Sequence, residues 1–266
     1  MKERILSLVS PQYPWTDRFH YLEETGSTND DLKALARQGA PHGTVLIANR
    51  QHGGHGRMGR SFHSPGGTGI YFSLLLRPRC APGELMHLTC ATAVAMCNAV
   101  EASAGFRPGI KWTNDLVFGQ RKLGGILTEL GLSSKGSVDY AIIGIGINCC
   151  QQEGDFPEEI RGIAASLSMV SGKEIDRAKV AAAMMDALYR MDLTLLTEKA
   201  AMLDAYRKDC ITIGREISLL RMGEPVRHGK AVDMDDEGAL IVQFADGHLE
   251  TVNSGEVSIR GMYGYL

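Results

Sequence analysis

Three short segments carry the residue types from which anion chemistry can be built. The first is GGHGRMGR, Gly53 to Arg60, where glycines alternate with Arg57 and Arg60. Glycine lets the backbone approach a ligand closely and adopt left-handed conformations, so successive N–H groups can converge on one anion. The guanidinium groups add donors that keep their charge. The loop matches neither the GxxxxGK[ST] phosphate loop nor a GxGxxG that opens a helix. The second segment is KWTNDLVFGQRKLGGILTEL, Lys111 to Leu130, in which Lys111, Asn114, Asp115, Lys122, Gly124 and Gly125 interrupt core residues such as Leu116, Val117, Ile126 and Leu127. Charged groups near a core are costly without partners. Either a ligand or metal supplies the partner here, or Lys122 and Asp115 cap a hairpin at the surface. The third is GIGIN, Gly144 to Asn148, whose small residues let a strand be crossed closely and whose Asn148 ends it with a polar tip.

These segments need a frame. STNDDLKALARQGAP predicts a short helix with Ser27 as N-cap, Leu32, Leu35 and Ala36 at helical spacing, and Gly39 and Pro41 closing it. Thr44–Ala48 and Ile70–Leu76 read as strands on either side of the glycine loop. Glu84 to Ala104 predicts a long helix whose core face holds Leu85, Leu88, Ala91, Val94, Ala95 and Ala99. After Gly109, the runs IKW, DLVF, KLGGILTEL and VDYAIIGIGIN, separated by turn residues, predict a hairpin-rich sheet. Helices are expected from Ile160 to Ser171 and, as a pair, from Asp176 to Lys208. From Gly214 the pattern changes to short strands joined by DDEG and ADG turns, a barrel-like module of about 50 residues that should pack on the main domain, being small for independent stability. Residues 1–213 and 214–266 are the two expected domains.

Composition sets the outer bounds. Of 266 residues, 44% are hydrophobic and 22% charged, the make-up of a folded protein. Lys plus Arg number 28 against 31 Asp plus Glu, a formal charge of −3, so no global field draws the chain to nucleic acid or an anionic membrane. Runs such as Tyr71–Leu76 and Ala141–Ile147 are far below the ~18–20 apolar residues that span a bilayer. The start, MKERILSLVS, has early charges and no small-residue cleavage site. No membrane association and a cytoplasmic location are therefore expected. Cys80, Cys90, Cys97, Cys149, Cys150 and Cys210 form no CxxC pair and read as free, mostly buried thiols. His42, His52, His55 and His63 have no local carboxylate or thiolate to complete a ligand set, so no protein-only metal site is predicted.

Taken jointly and in order, STN at 27–29, Gln51 with GHGRMGR at 54–60, KWTND at 111–115, RKLGGIL at 121–127, GIGIN at 144–148 and AASL at 164–167 resemble the biotin–protein ligase family. The likeness runs from about Glu24 into the C-terminal module, where GREISLL and EVSIRG are similar to the family's small SH3-like domain. It implies an α+β fold: a central mixed, largely antiparallel sheet flanked by helices, of the class II synthetase-like type, with a small C-terminal SH3-like β-barrel. It also implies two reactions. Biotin and ATP, with Mg2+ bound to the ATP, give biotinyl-5′-AMP, which then acylates a lysine of the biotin carboxyl carrier protein of acetyl-CoA carboxylase or another biotin-dependent carboxylase. On matching positions the resemblance puts Ser27, Thr28, Asn29, Gln51, Gly54, His55, Arg57, Lys122, Gly124 and Gly125 at biotin. Arg57, Arg60, Lys111, Trp112, Asn114, Asp115, Lys122 and Asn148 fall at ATP or the adenylate, with Lys122 and Arg57 as the catalytic residues. Two positions depart from the family pattern. His55 replaces the usual arginine, giving fewer donors and less charge, and Thr113 replaces the usual proline, restoring an N–H and loosening the turn.

Three other readings were weighed against this one. A lipoate–protein ligase shares the fold and adenylate chemistry, but its characteristic arginine–glycine segment is missing. A noncatalytic biotin-binding module would keep the pocket and lose Arg57, Asp115 and Lys122. A DNA-binding repressor domain is not expected, because the 26 residues before Ser27 include Pro11 and Pro14 and are too few for a helix-turn-helix. Strands exposed beside the glycine loop would admit a homodimer.

Overall fold

The computed structural model describes residues 1–220, 224–253 and 258–261, the last as backbone. Runs of β-branched and aromatic residues build a seven-stranded sheet in the order β1 (Phe19–Thr25), β2 (Thr44–Gln51), β3 (Gly69–Leu76), β7 (Val138–Asn148), β6 (Arg121–Leu132), β5 (Asp115–Phe118) and β4 (Gly109–Lys111). β1 and β2 run parallel, whereas the other neighbours are antiparallel. This is the mixed, largely antiparallel sheet the sequence led us to expect. Alternation along β7 divides its side chains between two cores: Ile143, Ile145 and Ile147 join the larger one, and Tyr140 and Ile142 the smaller.

Helices cover both faces. The smaller core lies beneath α2 (Thr28–Arg37), which buries Leu32 and Ala36 against Leu46, Leu75 and Ile142. On the other face α3 (Leu88–Ala104) packs against α5 (Arg177–Thr194) and α6 (Lys199–Asp209), and α1 (Lys2–Leu8) packs on α5. α3 is apolar nearly all round because it is enclosed nearly all round. The stretch Pro82–Ala104 is apolar and long enough to cross a membrane by composition, but 72% of it is buried inside the protein, as a core helix must be. The expected single helix from Glu84 is in fact a 3-10 turn at Pro82–Leu85 followed by α3.

Residues from Glu216 onward form a second, antiparallel sheet ordered β11 (Leu249–Val252), β10 (Leu240–Gln243), β9 (Arg227–Met234), β8 (Glu216–Leu220) and β12 (Ser258–Gly261). Of the EVSIRG segment, Glu256 and Val257 lie outside the described residues. This sheet is tied to the first. Ile211 N–H donates to Ile110 O at 2.9 Å, Arg207 Nη2 to Met234 O at 2.9 Å, and Trp112 Nε1 to Gly238 O at 3.0 Å.

The helix expected over Ile160–Ser171 shrinks to α4 (Leu167–Ser171), with Ser166 Oγ accepting from Met169 N–H. Upstream, the chain is extended because its backbone pairs with another segment: Lys122 N–H donates to Ile163 O at 2.7 Å, and Ala165 N–H to Lys122 O at 2.9 Å. α1 and β1 were not anticipated. Much of β1 is solvent-facing at the sheet edge, where His20, Glu23 and Glu24 replace an apolar alternation. Gly43, with φ +80°, lies where a Cβ would collide with the Trp15 indole. Gly43→Ala should lower the unfolding free energy by about 1–3 kcal/mol, read from urea titration.

Candidate active site

A cavity of about 350 Å³ opens where the start of α2, the end of β2, the glycine loop, the β5–β6 hairpin and the end of β7 meet. That is the size of a small-molecule site. Its two ends differ in chemistry.

One end is a polar wall over an apolar floor. Gln51, on the last turn of β2, points its Oε1 at α2 and accepts from Thr28 N–H at 2.9 Å and from Thr28 Oγ1 at 3.0 Å. Ser27 occupies the N-cap position as expected but makes no side-chain capping bond. Gln51, from a different strand, takes the first helix N–H instead, that of Thr28, and the Ser27 hydroxyl lies on the cavity wall. Phe62, Phe72 and Ile145 form the floor. The glycines of GIGIN make it possible: a Cβ on Gly146 would strike the Phe62 ring, and one on Gly144 the Asn29 amide.

The other end is charged. Lys122 Nζ meets Asp115 Oδ1 at 2.6 Å, with side-chain exposures of 27% and 15%. Both belong to the β5–β6 hairpin, whose pairing shifts between Leu116 and Val117. Gly125 leaves room for the lysine, since a Cβ there would stand 3.1 Å from Lys122 Nζ. Arg57 Nη1 donates to Asn114 Oδ1 at 3.1 Å, and Asn114 Nδ2 in turn to Ile126 O at 3.0 Å. Burial lowers the Arg57 pKa from its ordinary value; Asp115 opposes that effect and Arg60 adds to it. Arg60, Lys111, Trp112 and Asn148 line the same cavity. Asn148 Nδ2 is anchored on Ala165 O at 3.1 Å.

Two expectations about the loops change. Gly53 N–H donates to Gly26 O, Gly56 N–H to Arg60 O, and Gly54 O accepts from Phe62 N–H, so these backbone groups shape the loop and are not pooled into an anion nest. Positive charge at this site comes from side chains. Thr113 does not leave its turn loose: Tyr206 Oη donates to Thr113 O at 3.1 Å, and Trp112 N–H to Thr212 Oγ1 at 2.9 Å. His55 lines the cavity with its Nδ1 3.1 Å from Gly53 O, an acceptor, so Nδ1 is the donor.

Of the residues singled out in the sequence, Gly54 and Gly124 do not line the cavity. A Cβ on Gly54 would press on Ser64 Oγ and Gln51 Nε2, and one on Gly124 on Gly146 O, so both serve close packing behind the wall. The remaining singled-out residues line it together. Phe62, Phe72, Ile160 and Ile163 line the cavity without having been singled out in the sequence. Phe62 has only its place after the glycine loop as a signal, and Ile163 reaches the site through its pairing with Lys122. Among the described residues no three His, Cys, Asp or Glu side chains gather as a metal site.

An apolar slot with a polar wall leads to fixed cations, the arrangement a ligase would need to join a small apolar acid to a phosphate donor. Comparison with known proteins narrows that class. Residues 21–148 match the model of the Biotin/lipoate A/B protein ligase family, and residues 212–260 match the Biotin protein ligase C terminal domain. The chain is 37% identical over 243 residues to the Bifunctional ligase/repressor BirA of Bacillus spizizenii, covering 90% of this chain and 73% of that protein. It is 30% identical to the Biotin--[acetyl-CoA-carboxylase] ligase of Mycobacterium tuberculosis over 88% of this chain and 86% of that one. The solved biotin protein ligase from Aquifex aeolicus in complex with biotin and ATP superposes with a TM-score of 0.77 at 31% identity, covering 91% of this chain and 98% of that one. The chain belongs to the biotin protein ligases of this family.

The wall geometry makes a testable distinction between glycines. Gly144→Ala should displace Asn29 and cost about 1–3 kcal/mol of stability in a denaturant titration. Gly162→Ala, with nothing within 4 Å of the new methyl, should change stability little.

Proposed function

We propose that the cavity takes biotin along its apolar slot and the ATP phosphates at its charged end, and that the chain biotinylates a carrier protein in two steps. In the first, a biotin carboxylate oxygen attacks the α-phosphorus of ATP, the bond to pyrophosphate breaks, and biotinyl-5′-AMP forms. In the second, the uncharged amine of a carrier lysine attacks the biotinyl carbonyl, AMP leaves, and the amine loses a proton. Neither step needs an enzyme nucleophile. The difficulty is that the two reacting groups of the first step are both anions.

The observation that carries this reading is the pairing, in one cavity, of the Thr28–Gln51 wall with the Lys122–Asp115 ion pair. Hydroxyl and amide groups on an otherwise apolar surface suit a ureido ring, with Ser27, Thr28 and Gln51 facing it. Lys122 lies where the carboxylate and the α-phosphate meet, and its ammonium stabilises charge that develops on the transferring phosphoryl group. Arg57 and Arg60 close over the mixed anhydride and keep water from it. Asn114 and Asp115 serve the triphosphate, and Asn148 the adenosine side. Asp115 would lie beside the Mg2+ that accompanies ATP, and that ion would supply charge neutralisation. The acceptor is the lysine of a biotin carboxyl carrier domain of acetyl-CoA carboxylase or a similar carboxylase. We place the reaction in the cytoplasm, which supplies the ATP. Residues 1–213 hold the biotin and ATP sites, and residues 214–266 act as the supporting SH3-like domain.

Mass spectrometry of a carrier domain incubated with the protein, biotin and MgATP should show one biotinyl addition. Pyrophosphate exchange stimulated by lipoate and not by biotin would instead identify a lipoate ligase. Lys122→Ala should slow adenylate formation by about 10²–10³-fold, the loss of one preorganised charged donor; near wild-type turnover would remove Lys122 from the mechanism. Arg57→Gly should release biotinyl-5′-AMP, detected as biotin on bystander lysines, and full retention of the adenylate would contradict the closing role.

A further inference from the structure

Behind the polar wall runs a chain of side chains that ends outside the cavity. Ser73 on β3 is fully buried, with its Oγ 2.8 Å from Thr28 Oγ1 and 2.6 Å from Asn29 Oδ1. Asn29 Nδ2 donates to Glu129 Oε2 at 2.8 Å, and Lys33 Nζ meets Glu129 Oε1 at 2.7 Å. At the cavity end Thr28 Oγ1 donates to Gln51 Oε1. Neither Ser73 nor Glu129 lines the cavity.

The protons in this chain are one short. A serine hydroxyl has a single proton, yet Ser73 faces two acceptors. Glu129, as a carboxylate, accepts and cannot donate, so it holds Asn29 with its NH2 outward and its Oδ1 toward Ser73. Oδ1, at the shorter distance, claims the Ser73 proton. Thr28 Oγ1 has given its own proton to Gln51 and keeps a lone pair for a donor arriving in the cavity. In a buried site an acceptor without a donor is costly, and a ligand that presents an acceptor there makes it worse.

We propose that Glu129, Asn29 and Ser73 are positioning residues that fix this polarity, reserve Thr28 Oγ1 for a ligand N–H, and so give the pocket its preference for the edge of a cyclic urea. The inference rests on the assignment of biotin to this cavity. Lys33 anchors the far end. Burial opposes its charge, but hydrogen bonds to Glu129 and Asp30 more than offset this and raise its pKa above the ordinary lysine value. In Glu129→Gln the Lys33 ammonium draws the new amide oxygen, the amide NH2 turns to Asn29, and Asn29 must reverse. Its Nδ2 then faces Ser73, the Ser73 proton passes to Thr28, and one of the two Thr28 Oγ1 lone pairs is taken, which weakens that oxygen as the acceptor for a ligand N–H.

The test compares wild type, the nearly isosteric Glu129→Gln, and Glu129→Gln with Lys33→Met, by calorimetric titration below the melting temperature of each and by steady-state adenylation. The probes are biotin and two biotin analogues, each methylated on one ureido nitrogen. Glu129→Gln should raise the Kd and KM for biotin about tenfold, leave the KM for ATP and kcat within about twofold, and lose much of the discrimination against one methylated analogue. The double variant should recover most of the affinity, because nothing then holds the glutamine oxygen away from Asn29. Unchanged biotin affinity in Glu129→Gln, or a loss that the double variant does not recover, overturns the relay alone. A wild-type protein that binds no biotin overturns the assignment of the cavity, and the relay with it.

Discussion

The Lys122–Asp115 ion pair is the interaction around which the site is organised. An ammonium half removed from water is costly unless a counter-charge holds it, and Asp115, 2.6 Å away on the neighbouring strand, is that counter-charge. The pair holds the lysine side chain in place in the cavity wall. Its backbone is gripped twice: by β5 on one side, and on the other by the extended Ile163–Ala165 segment, which bonds to both the N–H and the C=O of Lys122. On the proposed mechanism, in which Lys122 meets a carboxylate and a phosphate together, such fixation helps because preorganised charge needs no rearrangement during the reaction.

The rest of the fold supplies the surroundings of that charge. Glycines in β7 let Phe62 and Asn29 lie directly against the strand, where both line the cavity. The C-terminal sheet acts at a distance: the turn carrying Gly238 accepts the Trp112 indole N–H, and with Tyr206 and Thr212 it fixes the segment leading to Asn114 and Asp115. The smaller domain thus contributes to the charged end without lining the cavity.

Much of this was legible in the sequence, for identifiable reasons. Strands such as Ile70–Leu76 announce themselves by β-branched and aromatic content, and the polar interruptions Lys111, Asn114, Asp115 and Lys122 stood out because charge among core residues demands a partner. What stayed hidden depends on tertiary pairing. Ala164 and Ala165 fall within the apolar spacing of a helix, and the bonds of their segment to Lys122 draw them out of it. Ser27 has the chemistry of an N-cap, yet Gln51, 24 positions later on another strand, takes the helix N–H. The glycine loop reads as an anion nest in the sequence, whereas in the fold the Gly53 and Gly56 amides are already bonded to backbone carbonyls. Ser73 and Glu129 carried no signal, since a serine in one strand and a glutamate in another are ordinary residues until Asn29 is placed between them.

The most direct test of the central claim is a crystal structure of the protein with a non-hydrolysable analogue of biotinyl-5′-AMP. Lys122 Nζ should lie within hydrogen-bonding distance of both the acyl and the phosphoryl oxygens, with the ureido ring against Thr28 and Gln51. An analogue bound with its acyl–phosphate junction beyond the reach of Lys122 would contradict it.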